Sequence, residues 1–390
     1  MNIAYILNST AINGGATKAF LNILDGLSKY DIRPYVVVPD KDGVFHELSK
    51  RQIPTFVHTY RSSTYPDFNT LSQRLLFLPR LAARIVANHR VTNMLVNWLR
   101  ENKINIVHSN TGVVRIGFDA AQRVGLPHIY HIREYQDKIG LKYFPTKNSF
   151  NTQLEKDNSF SICITKDIQN YYGQKNKKTS KVIYDGVFHF ATVLPKEENK
   201  DFFLFAGRIQ PAKGPDQLLK AYKLYICNTT NPLHLKLAGS ISDNAYYQSL
   251  INFTKENGMT DMVEFLGECH DISDLMRKAR ALIISSPFEG FGFCMPEAMQ
   301  QGCLCIGRNT GGTKEQLDNA LEMTGCEIAL RYETTEQLAD LLYEVASHPT
   351  DYYQPYVERA FSIVNKLYTA ENNAEKIYQF YKDILYGTDS

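Results

Sequence analysis

The stretch that most constrains the fold is residues 281–300, which read ALIISSPFEGFGFCMPEAMQ. It begins with an apolar run that predicts a short strand. A loop with two glycines, Gly290 and Gly292, follows the strand. Glycine lets the backbone turn sharply and approach a ligand closely. Because Pro296 suits the first turn of a helix, the whole stretch predicts a strand, a loop and a helix.

The same loop carries two carboxylates, Glu289 and Glu297, which are separated by seven residues. A loop of exposed N–H groups that leads into a helix N-terminus suits anionic or hydroxyl-rich ligands. Carboxylates accept hydrogen bonds from sugar and ribose hydroxyls. The alternative is a loop that only turns the chain, with Glu297 placed favourably near the helix dipole.

Short apolar runs alternate with helical patterns along almost the whole chain. This alternation predicts parallel sheets with helices on both faces, and runs such as Tyr35-Val36-Val37-Val38 suit strands buried on both sides. The predicted strands are 2–7, 34–38, 54–58, 104–108, 127–131, 160–165, 181–184, 202–206, 233–238, 262–266, 281–285, 303–306 and 326–330. The predicted helices are 16–29, 43–51, 72–100, 115–124, 148–158, 166–173, 214–226, 244–257, 272–278, 297–301, 313–320 and 334–347, and the last 35 or so residues also look helical.

The segment 185–200 interrupts the alternation, because it has an Asp-Gly turn signal and a charged run, and it predicts a linker. We therefore predict an α/β fold with two Rossmann-like, doubly wound parallel-sheet domains that face each other across a cleft. The N-terminal domain spans 1–190 and the C-terminal domain spans 200–368. Ligands of doubly wound sheets bind beyond the carboxyl ends of the strands, so we expect the ligand in this cleft.

Composition excludes several classes of protein. The 390 residues are 44% hydrophobic and 22% charged, which is ordinary for globular domains. The net charge of +2 does not suggest a nucleic-acid partner. No apolar run approaches the roughly 20 residues that span a bilayer, and the apolar start lacks the basic flank of a signal peptide. The seven cysteines include no Cys-x-x-Cys pair, and Cys303 and Cys305 suit the two faces of a strand, so we interpret all seven as reduced thiols of a cytoplasmic protein.

A second motif lies at the start of the second alternating half, over residues 203–214 (FLFAGRIQPAKG). A strand ends, the chain turns at Gly207, and Arg208 and Lys213 follow before the next helix. The guanidinium offers a fork of donors and the ammonium a compact charge, and both suit a diphosphate. The alternative is a solvated basic loop.

Two weaker motifs lie in the first half. Asn13, Gly14 and Gly15 separate the first strand from the first helix, where paired glycines let backbone N–H groups bind a ligand. A simple strand-to-helix turn would look the same, and the Gly-x-Gly-x-x-Gly dinucleotide fingerprint is missing. His131 lies at the end of a predicted strand, where ligand-binding side chains emerge. A lone histidine is more often structural than catalytic.

The stretch from Glu289 to Glu315 resembles the signature of the family-4 retaining glycosyltransferases, the glycosyl transferases group 1, which have the GT-B fold. The resemblance rests on the paired glutamates, then Glu297-Ala298-Met299, Gly302 and Gly311-Gly312-x-x-Glu315, all at the family's spacing. The segment 203–214 matches as well. The chain departs from the pattern at Cys294 and Leu304, where proline is common, and at Arg308-Asn309, which replaces a usual Ser-Asp.

The resemblance implies a role for each candidate residue. Arg208 and Lys213 would hold the donor diphosphate and stabilise the leaving nucleotide. Glu289 would position the sugar and Glu297 the ribose. His131 would contact the donor sugar, with Arg133 and Glu134 on the acceptor side. The implied donor site comprises Gly14, Gly15, Arg208, Lys213, Glu289, Gly290, Phe291, Gly292, Phe293 and Glu297.

The resemblance also implies the chemistry. Such enzymes transfer a sugar, typically a hexose, from a nucleotide diphosphate donor to a hydroxyl acceptor, and the anomeric configuration is retained. The co-substrate would be a UDP- or GDP-sugar, with no other cofactor and usually no metal; the chain has no Asp-x-Asp metal motif in a suitable loop. The acceptor would be a glycan or a lipid-linked sugar, as in bacterial polysaccharide biosynthesis. In this fold the C-terminal helix, here about 370–390, crosses back onto the N-terminal domain.

The segment 74–100 mixes arginines with apolar side chains. It could be a basic amphipathic helix that lies on anionic lipid, which would make the protein peripheral at the inner face of the membrane. The alternative is an ordinary surface helix with its apolar face in the core.

Three other functions compete with sugar transfer. A retaining glycoside hydrolase also uses two carboxylates, but it does not need an Arg-Lys diphosphate site. The missing fingerprint disfavours a nicotinamide oxidoreductase. A non-catalytic sugar-nucleotide or glycan-binding protein on the same scaffold stays open.

Overall fold

The computed structural model describes residues 1–12, 14–66, 70–138, 141–195, 200–269 and 271–387. The chain divides into two compact units. Unit 1 comprises residues 1–186 together with the chain from Ala370 onward, and unit 2 comprises Val187–Thr369. Each unit contains one parallel sheet with helices packed against it. The predicted α/β fold with two Rossmann-like, doubly wound sheets is confirmed.

Unit 1 contains a seven-stranded sheet in the order β3-β2-β1-β4-β5-β6-β7. Its strands are β1 (Asn2–Ile6), β2 (Arg33–Val38), β3 (Thr55–Val57), β4 (Ile106–Ser109), β5 (His128–Ile132), β6 (Ser159–Cys163) and β7 (Ser180–Val182). Its helices are α1 (Gly15–Leu27), α2 (Val44–Lys50), α3 (Leu71–Leu75), α4 (Phe77–Glu101), α5 (Ile116–Val124), α6 (Lys147–Leu154) and α7 (Lys166–Tyr171), and the C-terminal helix α15 (Ala370–Tyr386) also belongs to it.

Unit 2 contains a six-stranded sheet in the order β10-β9-β8-β11-β12-β13. Its strands are β8 (Phe202–Ala206), β9 (His234–Ala238), β10 (Val263–Gly267), β11 (Ala279–Ile284), β12 (Cys305–Arg308) and β13 (Leu330–Tyr332). Its helices are α8 (Pro215–Cys227), α9 (Asn244–Glu256), α10 (Ile272–Lys278), α11 (Cys294–Gln300), α12 (Gly311–Thr324), α13 (Thr335–Ser347) and α14 (Gln354–Leu367).

Apolar runs place the central strands inside the units, as expected for strands covered on both faces. Every residue of β11 is buried, and so are the first four residues of β8. In unit 1, α15 packs against α1 through Ala374, Ile377 and Phe380. A Cβ at Gly26 of α1 would lie 2.6 Å from the Cβ of Ala374, so this approach requires the glycine. The chain thus completes the core of unit 1 after it has built unit 2.

The predicted helix 72–100 is two helices, because α3 ends at Leu75 and α4 begins at Phe77. Pro79 explains the break. Proline has no N–H, and its ring clashes with the carbonyl four residues earlier, which here belongs to Leu75. It is tolerated in a first turn, and the helix therefore restarts just before it.

Other boundaries also differ from the prediction. The strand predicted at 326–330 spans Leu330–Tyr332, because α12 continues to Thr324 and the Glu327 carbonyl accepts from the Arg359 guanidinium instead of a neighbouring strand. Cys303 precedes β12 and Cys305 begins it, so the two do not alternate within one strand, although both are buried.

The linker predicted at 185–200 begins within unit 1. Asp185 is fully buried in unit 1, so it does not lie in an exposed linker. Residues 196–199 of the charged run lie outside the described residues. The C-terminal segment forms α14 and α15 with a break at Tyr368 and Thr369. Within the described residues, no helix is both long and apolar enough to cross a bilayer.

Candidate functional site

Both predicted donor motifs of unit 2 leave the sheet at the same edge. β8 and β11 are neighbouring parallel strands, so the connections that follow them begin side by side. From β8 the sheet grows through β9 and β10 in one direction and through β11 in the other. Such a switch point is where doubly wound sheets bind their ligands.

The connection after β8 is held against the end of β11. A 3-10 turn spans Pro211–Lys213, and Gly214 has φ +65°. A Cβ at Gly214 would lie 2.4 Å from the Ser285 carbonyl oxygen, so this left-handed, crowded position requires glycine. The Ser285 hydroxyl donates to the Lys213 carbonyl at 3.0 Å. Together these contacts fix where the Lys213 side chain starts.

The Lys213 ammonium lies 2.6 Å from Oε1 of Glu289, and the Ser286 hydroxyl donates to the same oxygen at 2.6 Å. The side chain of Lys213 is 27% exposed and that of Glu289 is 12% exposed. Both contacts of the carboxylate use Oε1. The structure therefore brings together two of the predicted site residues in a charged pair that solvent reaches.

The loop from Glu289 to Phe293 is supported by α12. The Glu289 carbonyl accepts from Gly312 N–H at 2.9 Å, and Gln316 donates from Nε2 to the Phe291 carbonyl at 2.5 Å. Gly292 has φ +88°, so it makes the sharp turn that the sequence predicted. A Cβ at Gly312 would lie 2.6 Å from Phe291, which explains a glycine at the start of α12.

The remaining predicted donor residues surround this loop. Phe291 is buried, with its ring centroid 5.1 Å from that of Tyr368, whereas Phe293 and Gly290 are half-buried. Glu297 is half-buried in the first turn of α11. Arg208 is exposed and has no ion-pair partner among the residues that the structure describes. Arg208 thus follows β8 and Glu297 lies in α11, the elements on which the sequence placed them.

The glycine motif of unit 1 lies at the corresponding point of its own sheet, where β1 has β2 on one side and β4 on the other. Gly14 is the exposed N-cap of α1 and Gly15 is its exposed first residue. Asn110, just after β4, donates from its side chain to the Ala16 carbonyl at 2.9 Å. Asn13 lies outside the described residues.

His131 is fully buried inside unit 1. Its Nδ1 lies 3.1 Å from Nη2 of Arg133 and 3.2 Å from Nε2 of His108. A guanidinium can only donate, so Nδ1 of His131 accepts and the proton of the neutral ring sits on Nε2. His108 then donates from Nε2, and its Nδ1, 2.6 Å from the Tyr381 hydroxyl of α15, accepts.

Charge in this network is concentrated on one ion pair. The Arg133 guanidinium pairs with Asp185 and also donates to the carbonyl and side-chain oxygens of Asn110 at 3.1 and 3.2 Å. Arg133 is therefore internal, whereas Glu134, its predicted neighbour on the acceptor side, is exposed. Nε2 of His131 is 3.6 Å from Asp185 and has no hydrogen-bond partner among the described residues.

Burial controls ionisation here. Desolvation and the nearby Arg133 charge lower the pKa of His108 to about 3 and hold the pKa of His131 well below its usual range. Desolvation raises the pKa of Asp185, and Arg133 opposes that rise. Both imidazoles are therefore neutral at pH 7, and His131 is a hydrogen-bond donor through Nε2.

Sequence reasoning overlooked several residues that shape these sites. Ser286 lies in the quoted loop, and its hydroxyl three residues before Glu289 was a usable signal. Asp185 was interpreted as part of a turn, and nothing local indicates its partner 52 positions earlier. Gln316 follows Glu315 directly and offers no signal, because its function is to bind backbone carbonyls. In the described part of the chain, no three potential metal ligands cluster.

Part of the chain is similar in sequence to known glycosyltransferases. Residues 189–360 match the family model described as glycosyl transferases group 1. The chain is 28% identical over 223 residues to an uncharacterized glycosyltransferase of Methanocaldococcus jannaschii, covering 56% of this chain and 60% of that protein. It is 22% identical over 337 residues to the Escherichia coli UDP-Gal:alpha-D-GlcNAc-diphosphoundecaprenol alpha-1,3-galactosyltransferase, covering 77% of this chain and 80% of that protein. The match spans less than two thirds of the archaeal relative and 49% of the Bacillus anthracis N-acetyl-alpha-D-glucosaminyl L-malate synthase.

Solved structures show the same fold. HepE of Anabaena in complex with UDP superposes with a TM-score of 0.76 at 19% identity, covering 97% of this chain and 99% of HepE. A glycosyltransferase from Rickettsia africae gives a TM-score of 0.75 at 16% identity, covering 100% and 99% of the two chains. The chain therefore has the GT-B fold, and its residues 189–360 are similar to the glycosyl transferases group 1.

Proposed function

We propose that this chain transfers a sugar from a nucleotide diphosphate sugar to a hydroxyl acceptor and retains the anomeric configuration. The observation that carries the proposal is the Lys213–Glu289 pair at the switch point of unit 2, within the residues that match the family. A cation and a carboxylate fixed side by side suit the two ends of such a donor, its diphosphate and its sugar hydroxyls.

Each residue of the pair has spare capacity for the donor. An ammonium has three N–H donors, and the contact with Glu289 needs one of them. The carboxylate uses Oε1 for both of its contacts, so Oε2 can accept from a sugar hydroxyl. Arg208, exposed after β8, would add its fork of donors to the diphosphate. Glu297, in the first turn of α11, would accept from the ribose.

In the proposed reaction the acceptor oxygen attacks the anomeric carbon on the face that the nucleotide leaves. The bond between the anomeric carbon and the phosphate oxygen breaks, and its electron pair stays on the phosphate. The acceptor proton passes to that phosphate. Arg208 and Lys213 stabilise the charge that develops there, which lowers the barrier without a metal.

We propose UDP as the donor nucleotide, because HepE structures contain UDP, UDP with glucose, and UDP-glucose. GDP-sugars are the second choice. The relative from Escherichia coli, whose name includes a diphosphoundecaprenol-linked sugar, supports a lipid-linked glycan as acceptor. A cytoplasmic location, where nucleotide sugars and reduced thiols coexist, is part of the same proposal, and the seven cysteines, all within the described residues, form no disulfide.

His131 is proposed to serve the donor sugar as a neutral hydrogen-bond donor. Its buried Nε2–H lacks a partner among the described residues, and such unsatisfied buried groups are rare enough to need a reason. Its lowered pKa argues against a role as general base at pH 7, since proton transfer works best when the pKa is near the working pH.

We further propose that α3 and α4 contact an anionic membrane surface. Leu71, Leu75 and Leu78 are each at least 73% exposed; the exposed Arg74 lies among them and the half-buried Arg80 follows. Exposed apolar side chains interleaved with arginines suit an interfacial helix. The C-terminal half of α4 follows the alternative prediction, because its apolar residues are buried in the core. Replacing Leu75 and Leu78 by serine should abolish sedimentation with anionic vesicles; unchanged sedimentation would refute the contact.

Thermal unfolding tests the donor proposal directly. Purified protein is heated with UDP, GDP, ADP and their common sugar conjugates, with EDTA and no added metal. A ligand at 100 times its dissociation constant stabilises the fold by about 2.7 kcal/mol. UDP should raise the midpoint in the wild type but not in Arg208→Ala. Binding without transfer to any acceptor would favour the non-catalytic sugar-nucleotide-binding alternative, and no binding of any nucleotide by folded protein would refute both.

A further inference from the structure

Unit 1 contains a pocket that shares no lining residue with the proposed donor site. The connections that follow β3, β4 and β5 enclose about 190 Å³ together with α4 and α5. Because these strands are parallel, all three connections leave the same edge of the sheet, the edge where such sheets bind ligands. We name it the arginine pocket, and the lining residues that matter are Ser62, Ser63, Arg84, Arg115, Arg123 and Phe144.

The size of the arginine pocket limits what it can hold. Sites that enclose a whole drug-sized ligand measure roughly 300–1,000 Å³. A pocket of about 190 Å³ suits one group of a larger molecule, with the remainder outside. The pocket opens beside α4, whose Leu81 and Ile85 form one wall.

The charge of the lining is positive. Among the described lining residues, Arg115 and Arg123 accompany a single carboxylate, that of Asp119, which accepts from Nε of Arg115 at 3.0 and 3.1 Å. Arg123 donates to the side-chain oxygen of Asn93, a neutral acceptor, so this contact leaves its charge uncompensated. The Ser62 and Ser63 hydroxyls add donors and acceptors on the opposite wall.

Backbone contacts hold that wall in place. Arg61 N–H donates to the Asn88 side chain, and the Asn88 amide donates back to the Arg61 carbonyl, both at 2.9 Å. Ser63 N–H donates to the Val113 carbonyl at 2.7 Å, and its own carbonyl accepts from Phe144 N–H at 3.0 Å. The serine hydroxyls are thus positioned before any ligand arrives, which reduces the entropy that binding would cost.

We propose that the arginine pocket binds a phosphoryl group of the acceptor. The forked guanidinium of arginine matches the oxygens of a phosphate, and hydrogen bonds between ionised partners are about twice as strong as neutral ones. Phe144, Leu81 and Ile85 would border the apolar or ring portion attached to the phosphate. Calling the ligand the acceptor rests on the proposed sugar transfer, whereas phosphoryl binding by the pocket does not.

Binding of glycerol 3-phosphate to the full chain, with glycerol as the uncharged comparison, tests the pocket by NMR titration. The double variant Arg115→Gln with Arg123→Gln should bind glycerol 3-phosphate with an affinity at least tenfold lower than that of the wild type. Arg90→Gln is the matched control, because Arg90 is an exposed arginine of α4 that does not line the pocket. Equal affinity in the wild type, the double variant and the control would overturn the proposal.

If the double variant does not fold, Arg123→Gln alone decides the matter, since Arg123 is exposed and loses one neutral hydrogen bond. A loss of threefold or more relative to Arg90→Gln is expected, and no difference would overturn the proposal.

Phosphatidylcholine vesicles with and without phosphatidic acid distinguish the source of the phosphate. Binding that needs phosphatidic acid and both arginines assigns a lipid phosphate. Binding of glycerol 3-phosphate alone assigns a water-soluble phosphate ester, and binding of neither overturns the proposal. UDP binding is measured on the same samples and should be unchanged by the pocket variants. If the wild-type protein does not bind UDP, the proposed sugar transfer from a UDP-sugar is refuted, but the result on phosphate binding by the arginine pocket still stands.

Discussion

Each unit holds a charged pair beyond the ends of its strands, and the two pairs lie in opposite environments. In unit 2 the Lys213–Glu289 pair is partly exposed, and the Ser286 hydroxyl also donates to its carboxylate. In unit 1 the Arg133–Asp185 pair is almost completely buried and joined to two neutral histidines. Because water no longer solvates the second pair, each of its members depends on the other. The comparison suggests that unit 2 uses its charges to bind a ligand, whereas unit 1 uses them to fix an imidazole.

The largest expected effect on stability comes from unit 1. Asp185→Ala leaves the buried Arg133 guanidinium without its counter-ion, and removing one partner of a buried pair costs about 3–5 kcal/mol. Thermal or urea unfolding should show a loss of this size. A loss below about 1 kcal/mol would mean that Asp185 is not buried against Arg133 and would remove the contrast between the units.

The largest expected effect on activity comes from unit 2. Arg208→Ala removes the donor that we propose stabilises the leaving diphosphate, and the loss of one such group typically costs about 10²–10³ in rate. The unfolding midpoint should stay unchanged, because the side chain is exposed and has no ion-pair partner within the described chain. Transfer measured with radiolabelled donor checks the rate, and Arg90→Gln serves as a surface-arginine control. Near-normal transfer by Arg208→Ala would refute the proposal that Arg208 stabilises the leaving diphosphate.

A pH titration sharpens the account of unit 1. Because the pKa values of His108 and His131 are lowered in the folded protein, the unfolded chain binds protons at mildly acidic pH that the folded chain does not bind. Stability from this source is therefore complete above about pH 6.5 and falls as the pH drops below it, by about 1.4 kcal/mol per pH unit for each histidine. Asp185, with its raised pKa, opposes the fall.

His108→Gln isolates one histidine in that titration. Between pH 6.5 and 5, its free energy of unfolding should fall by about 2 kcal/mol less than that of the wild type. Equal slopes would show that His108 is protonated in the folded protein. Because Gln can still donate to Nδ1 of His131, a change in the pH dependence without a large loss of stability at pH 7 would separate ionisation from packing.

Most of the fold could be predicted from the sequence because strands and helices are indicated by local patterns of residues. Residues such as Phe202 to Phe205 form an uninterrupted apolar run, and α8 begins after a Gly-Pro signal. The break between α3 and α4 also has a local signal in the sequence, Pro79, although the prediction did not use it. The late start of β13 has no local signal, because it depends on Arg359, which lies 32 positions from the carbonyl that it binds.

The candidate sites divide in the same way. Glu289 and Lys213 were chosen for their chemistry within local motifs, and their 2.6 Å contact joins residues 76 positions apart through two adjacent strands. The partners of His131 could not be predicted, because Tyr381 approaches His108 only after α15 has returned to unit 1. Motifs indicate which residue types meet at a strand end, but topology decides which of them are buried.

The smallest expected effect tests whether the unit 2 pair contributes to stability at all. Lys213→Met with Glu289→Gln removes both charges at once, so no buried charge is left without a partner. Replacing such a pair by uncharged groups is often neutral, and exposed pairs contribute about 0–1 kcal/mol. The double variant should therefore unfold within about 1 kcal/mol of the wild type while losing UDP stabilisation and transfer. A loss as large as that of Asp185→Ala would show that both charged pairs are structural, and the functional contrast between the two units would have to be abandoned.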